Sequence, residues 1–129
     1  FILELKSNGI LMANITDLTA QIQFRKMVYF GLDEHFDYVV TSEEAGHDKP
    51  DPRPFQIALD KLKIDPEETW MIGDSASADM AGGKLFWIKK IQKIHKNVVI
   101  GQGDAKPDIV FSEYASLSNY LKKIVNSNN

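Results

Sequence analysis

The sequence predicts an α/β fold built on a doubly wound, mostly parallel sheet. Short apolar runs of strand length alternate with segments whose apolar residues recur at helical spacing, giving the order α-β-α-β-α-β-α-β-β-α. The strand runs are nearly continuous in apolar residues, as in Trp70-Met71-Ile72 and Tyr38-Val39-Val40, which suits strands covered on both faces. Right-handed crossovers then bring the carboxyl ends of the strands to one side, where ligands bind in such sheets.

Each element has its own signal. Residues 1–9 read as the last turns of an amphipathic helix stopped by Asn8-Gly9. Residues 10–15 form a strand ending at Thr16-Asp17, and Asp17 or Thr19 is placed to cap the next helix. That helix, residues 20–30, carries Ile22, Met27, Val28 and Phe30 on one side and stops at Gly31. Residues 36–41 hold a second strand ending on the hydroxyl of Thr41. A proline-studded loop, residues 42–54, fixes Lys49 among its prolines, and Pro54 suits a helix start. Phe55, Ile57, Ala58, Leu59 and Leu62 give that helix its core-facing side. Residues 65–68 are a turn leading into the Trp70-Met71-Ile72 strand. After Asp79 a helix runs through Met80 towards Phe86. It contains Gly82 and Gly83, each costing about 1 kcal/mol in helix propensity, a loss that close helix-on-sheet packing would offset. Residues 88–94 fit strand or helix and are read as strand. A loop over residues 95–106 holds the extended piece Val98-Val99-Ile100. Residues 108–111 make a last strand, Ser116 caps a terminal helix running to Val125, and residues 126–129 are expected to be disordered.

At 129 residues the chain is one domain, with no internal repeat, low-complexity segment or linker. Its 15 basic and 18 acidic residues give a net charge of −3, which argues against nucleic acid or an anionic membrane as partner. With no cysteine, disulfides and thiolate metal sites are excluded, in keeping with a reducing cytoplasm. No apolar run approaches membrane-spanning length. The chain opens at Phe1, and its first methionine, Met12, falls inside a strand; the expectation is that a segment precedes it.

The stretch that organises the rest is residues 70–79. An apolar strand runs into Gly73-Asp74, and Asp79 follows five residues later at the mouth of a helix. Two carboxylates with no basic residue between them make a hard oxygen patch suited to Mg²⁺; the plainer reading is acidic capping of a helix N-terminus. Three strand ends decide between them: Thr16, Lys49 through its loop, and Asp74 with Asp79. A hydroxyl that donates to a phosphoryl oxygen, a compact ammonium and a pair of acidic metal ligands together make a phosphate site with a divalent cation. Ser75 either supports the metal ligands or caps the turn. His35, His47 and His95 share no metal-ligand spacing and are read as surface or loop residues. Trp70 is read as core, and Trp87 as the cover of a neighbouring strand or an interface. Gly101-Gln102-Gly103 lacks a preceding strand and a following helix in the right places, so it is not a nucleotide fingerprint.

From about Asn8 to Lys84 the chain resembles the haloacid dehalogenase-like hydrolases, most of which are Mg²⁺-dependent phosphatases working through an aspartyl-phosphate. Ile15-Thr16-Asp17 is similar to the family's second motif, residues 41–46 with Lys49-Pro50-Asp51-Pro52 and Phe55 to the third, and Gly73-Asp74-Ser75 with Asp79 to the fourth. The resemblance implies a small phosphorylated metabolite as substrate. It assigns Thr16, Asp17 and Lys49 to the phosphate, with Lys49 and Thr16 serving catalysis. Asp74 becomes a metal ligand, Asp79 a ligand or an orienter of the metal's waters, and Ser75 a support behind them.

The first motif, Asp-x-Asp, which carries the nucleophile and the general acid/base, does not occur in this chain. The resemblance puts it on a central strand before Phe1, between the strands at residues 10–15 and 70–72, with a substrate-selecting cap after it. The core is therefore expected to be incomplete on its N-terminal side. Two apolar edges would face each other across a gap, to be closed by a preceding segment or by another subunit of a homo-oligomer. As an isolated chain it is expected to be inactive. The alternative function is a truncated, non-catalytic module. A phospho-receiver domain fits less well, because there the acidic cluster precedes the Thr and the Lys.

Overall fold

A computed structural model describes residues 1–17, 20–32 and 34–127; the capping expectation for Thr19 and the disorder expected at residues 128–129 lie outside them. The elements run α1 (Ile2–Ser7), β1 (Ala13–Thr16), α2 (Ala20–Tyr29), β2 (Tyr38–Thr41), the one-turn α3 (Ser42–Ala45), and α4 (Pro52–Leu62). A 3₁₀ turn (Pro66–Glu68) leads to β3 (Trp70–Gly73), a π-helical turn (Ala76–Met80) and α5 (Ala81–Leu85). Then come β4 (Lys89–Lys93), a 3₁₀ turn (Gly103–Ala105), β5 (Ile109–Phe111) and α6 (Tyr114–Ser127). All strand pairs are parallel, as the alternation predicts, so their carboxyl ends share one side.

The strands form two sheets rather than one. β1 pairs with β2, setting Thr16 beside Thr41, while β3-β4-β5 form a second sheet with Gly73 beside Gln92. The outer edges of β1 and β3 have no strand partner among the described residues. Both line one cavity of about 1220 Å³, β1 through Ala13 and Ile15 and β3 through Trp70 and Ile72, with Lys49 and Asp79 also on its walls. The gap expected between these strands is present.

Burial follows the helical spacing in α4, where Phe55, Ala58 and Leu59 are buried against β1, β2 and α5. In the three-stranded half, Ile91, Phe111 and Leu117 make a core flanked by Phe1, Trp70, Ile72, Ile109 and Leu121. The two helix glycines answer to different neighbours. A Cβ on Gly82 would lie 2.1 Å from the Phe55 ring, so Gly82 admits helix α4. A Cβ on Gly83 would lie 3.0 Å from the Lys90 side chain on β4, which is the close helix-on-sheet contact expected.

Several boundaries depart from expectation for local reasons. β1 starts at Ala13, because Met12 is already engaged: its carbonyl accepts from the Asp37 and Tyr38 amides, and its own amide donates to the Asp37 carboxylate. α4 starts at Pro52, not Pro54, because the Asp51 carboxylate accepts from the Arg53 amide and caps it. Ser116 lies inside the first turn of α6, which begins at Tyr114 and runs through Ser127, past the expected start of a disordered tail. Among the described side chains of α2 only Met27 is buried; Ile22 and Val28, and Phe30 just past the helix, remain largely exposed, since no described element packs extensively on that side. Residues 98–100 form no strand, Trp70 is half-buried, and Trp87 is 77% exposed, its ring under the Lys84 ammonium instead of over a strand.

Candidate functional site

Lys49 is the residue that draws the strand ends together. Thr41, the last residue of β2, accepts the Glu44 amide through its hydroxyl and caps α3. Gly46, at φ 76°, then reverses the chain, a conformation that favours glycine. The returning loop is pinned to the end of β1. The Asp17 carboxylate accepts the Lys49 amide at 3.0 Å, and the Asp17 carbonyl accepts the Ser42 hydroxyl at 3.0 Å. So fixed, the Lys49 ammonium donates to the Ile15 carbonyl at 3.2 Å and to the Asp79 carboxylate at 2.7 Å. This ion pair joins the two-stranded half to the three-stranded half, and it is largely withdrawn from water, with 12% and 7% of the side chains exposed.

The other side of the pair is built by the turn after β3. Ser75 caps it, its hydroxyl accepting the Ala78 amide at 3.1 Å. The π-helical turn then points Asp79 back at the strand end, where its second oxygen accepts the Ser75 amide at 3.1 Å. Gly73 makes room, since a Cβ there would lie 2.2 Å from an Asp79 oxygen. Both oxygens of Asp79 are therefore engaged within the protein. In this arrangement the Asp79 carboxylate holds Lys49 and the Asp74 loop. Ser75, expected either to support the metal ligands or to cap the turn, makes the capping bond.

Asp74 is the carboxylate left facing outward, with 57% of its side chain exposed. Its Oδ2 lies 3.1 Å from the His95 Nε2 ring nitrogen, and its Oδ1 has no partner among the described residues. A hard, exposed carboxylate fits Mg²⁺, which binds through one or two carboxylates and completes its shell with water and phosphate oxygens. No cluster of three or more His, Cys, Asp or Glu able to hold a metal occurs among the described residues. The described donors thus suit a cation that takes most of its ligands from elsewhere, and Asp74 is exposed enough to reach one.

Thr16 ends β1 on the same side, in register with Thr41. Asp17 follows it at the same end, where its carboxylate and carbonyl hold the Lys49 loop. Two residues of the site escaped the sequence reading. His95 was assigned to a surface loop yet touches Asp74. Gln92 is wholly buried and donates to the Asp74 carbonyl at 3.1 Å. The signal for it was a lone amide in a strand otherwise set by Ile88, Ile91 and Ile94.

A family model described as haloacid dehalogenase-like hydrolase matches residues 1–93. The chain is 33% identical to a phosphoserine phosphatase of Thermus thermophilus over 109 residues, covering 84% of this chain and 43% of that protein. It is 39% identical to the pyrophosphatase PpaX of Bacillus mycoides over 122 residues, 94% of this chain and 56% of that one. The fold superposes on the crystal structure of a phosphatase of the same family from Thermococcus onnurineus with a TM-score of 0.83 at 25% identity, covering 93% of this chain and 54% of that chain. The chain spans about half the length of the relatives it matches.

Proposed function

Because this chain belongs to the haloacid dehalogenase-like hydrolases, we propose that the whole protein is a Mg²⁺-dependent phosphatase acting on a small phosphorylated metabolite through an aspartyl-phosphate. The observation that carries the reading is the buried Lys49–Asp79 pair set beside the exposed Asp74, at the ends of β1 and β3. Residues 1–129 act as one core domain. A further parallel strand fills the slot between β1 and β3 and presents the nucleophilic carboxylate at that end. The parallel direction of both sheets and the apolar walls of the slot support this placement.

Each residue then has a task its surroundings suit. Lys49, held by Ile15 and Asp79, keeps the incoming carboxylate ionised and balances the charge of the phosphoryl group. The Thr16 hydroxyl donates to a phosphoryl oxygen. Asp74 would hold the Mg²⁺, which when bound supplies Lewis-acid neutralisation of the phosphate oxygens. Asp17 and Asp79 set Lys49, and Ser75 shapes the turn that carries the carboxylates. The relatives named as phosphatases support the phosphorylated substrate. The cysteine-free composition supports a cytoplasmic location, and no helix of the described residues is long and apolar enough to cross a membrane.

A second reading applies to the 129 residues alone: with no Asp-x-Asp in the sequence, they form a non-catalytic module. One assay addresses both. Phosphate release from a panel of phosphorylated metabolites is measured with the full-length protein, its Asp74→Asn variant and the isolated chain. The expected result is Mg²⁺-dependent release, lower by on the order of a hundredfold in Asp74→Asn, and a blank for the isolated chain. Unchanged release in Asp74→Asn would overturn the assignment.

A further inference from the structure

We infer that Gln92 and His95 form a clamp that sets the Asp74 carboxylate before any cation binds. The inference rests on the reading of Asp74 as the carboxylate that holds the metal. Gln92 stands beside Gly73 in the β3–β4 register, one residue before Asp74, and its side chain is 0% exposed. Its amide nitrogen donates to the Asp74 carbonyl at 3.1 Å and to the Val99 carbonyl at 2.9 Å, while its Oε1 accepts the Gly101 amide at 3.0 Å. Two carbonyls on one side and an N–H on the other fix which end of the amide is which.

An apolar residue would fill the same strand position without needing partners. The amide instead ties the Asp74 loop to residues 99–101. That loop is itself tightly closed: a Cβ on Gly101 would lie 1.9 Å from the Ala105 carbonyl. Its 3₁₀ turn packs on α5 and on the turn that carries Asp79. His95 completes the grip from outside, placing Nε2 3.1 Å from the Asp74 Oδ2. Asp74 is thus held by its carbonyl and by one carboxylate oxygen, and Oδ1 is left towards solvent. A ligand fixed in this way loses less freedom when a cation arrives, and partners behind a metal ligand are commonly worth tenfold or more in affinity. Gln92 and His95 are positioning residues; neither needs to touch the metal or the substrate.

The test is Mn²⁺ binding to the full-length protein, followed by loss of the free-ion paramagnetic resonance signal at one fixed pH near neutrality, with urea unfolding alongside. Gln92→Met and His95→Ala should each weaken Mn²⁺ binding by on the order of tenfold. His95→Ala should do so with an unchanged unfolding midpoint, because the ring is half-exposed; it carries the test alone if Gln92→Met does not fold. Ile91→Val, a core change one residue away, should lower the midpoint and leave Mn²⁺ binding intact. Wild-type affinity in His95→Ala and in folded Gln92→Met, with binding lost in Asp74→Asn, overturns the clamp and leaves the metal assignment standing. Wild-type affinity in Asp74→Asn overturns both.

Discussion

Removing both members of the Lys49–Asp79 pair should cost less stability than the two single removals added together. The charges are 2.7 Å apart with little solvent contact. At an effective dielectric of about 20, two unit charges at that separation attract by roughly 6 kcal/mol, and desolvation of both groups offsets much of it. Deleting one partner leaves the other buried without its counter-charge, a loss of about 3–5 kcal/mol for such pairs. Lys49→Met keeps the length of the side chain and removes the charge. Asp79 then retains the Ser75 amide on one oxygen only, and the Ile15 carbonyl loses its donor. Asp79→Leu strands the ammonium against that single carbonyl. In the double variant no buried charge remains, so its cost should fall short of the summed single costs by about 2–3 kcal/mol. Urea unfolding of the four proteins closes the cycle. A coupling below about 0.5 kcal/mol, the usual scatter for independent sites, would refute the argument that this pair holds the halves of the site together.

Gly82→Ala should destabilise the protein by up to about 2 kcal/mol, because crowding the Phe55 ring costs about 1–3 kcal/mol against a helix-propensity gain of about 1 kcal/mol. Thermal melts by circular dichroism check it; a stabilised variant would show that Phe55 moves aside freely. Glu4 gives a pH prediction. The Lys122 ammonium, with the Ser118 hydroxyl, holds its carboxyl below the ordinary value of 4.5, tying α1 to α6. A depressed folded pKa stabilises fully above the unfolded value and is lost as pH falls through the folded one. The midpoint difference between wild type and Glu4→Gln should therefore be constant above pH 4.5 and shrink below it. A difference that persists unchanged into acid would refute the contact.

What could be read from the sequence was whatever depends on nearest neighbours and on periodicity. Apolar runs marked β1, β2, β3 and β5, while β4, Lys89-Lys90-Ile91-Gln92-Lys93, was ambiguous between strand and helix. β1 lost three expected residues to the Asp37 contacts, which join Met12 to a residue far along the chain. The same blindness explains Asp79. Spacing alone makes it a twin of Asp74, and only the fold reveals that Lys49 and the Ser75 amide occupy its oxygens. Gln92 and His95 were missed because their roles depend on β4 lying beside β3, a parallel neighbour that local pattern does not identify. Gly82 and Gly83 show the limit from the other side. Their cost was plain in the sequence, and so was the need for close packing, but the partner of Gly82 proved to be a helix.

The division of the sheet gives the Lys49–Asp79 pair a meaning beyond either residue. Thr16 and Lys49 belong to the β1–β2 half, and Asp74, Asp79, Gln92 and His95 to the β3–β4–β5 half. Across the slot the strand edges do not touch through backbone hydrogen bonds; the halves meet through α4 on one face, through α1, which contacts Glu34 and α6, and through this ion pair at the carboxyl end. A strand entering the slot would satisfy both open edges and bury the apolar walls, a gain in folding free energy. The same strand, running parallel to its neighbours, would end beside Lys49, where a carboxylate is the group an ammonium stabilises most. Without a carboxylate beside it a buried ammonium there would be costly, and Asp79 removes that cost. The second aspartate of the acidic stretch therefore answers to the lysine, while the first stays exposed to solvent.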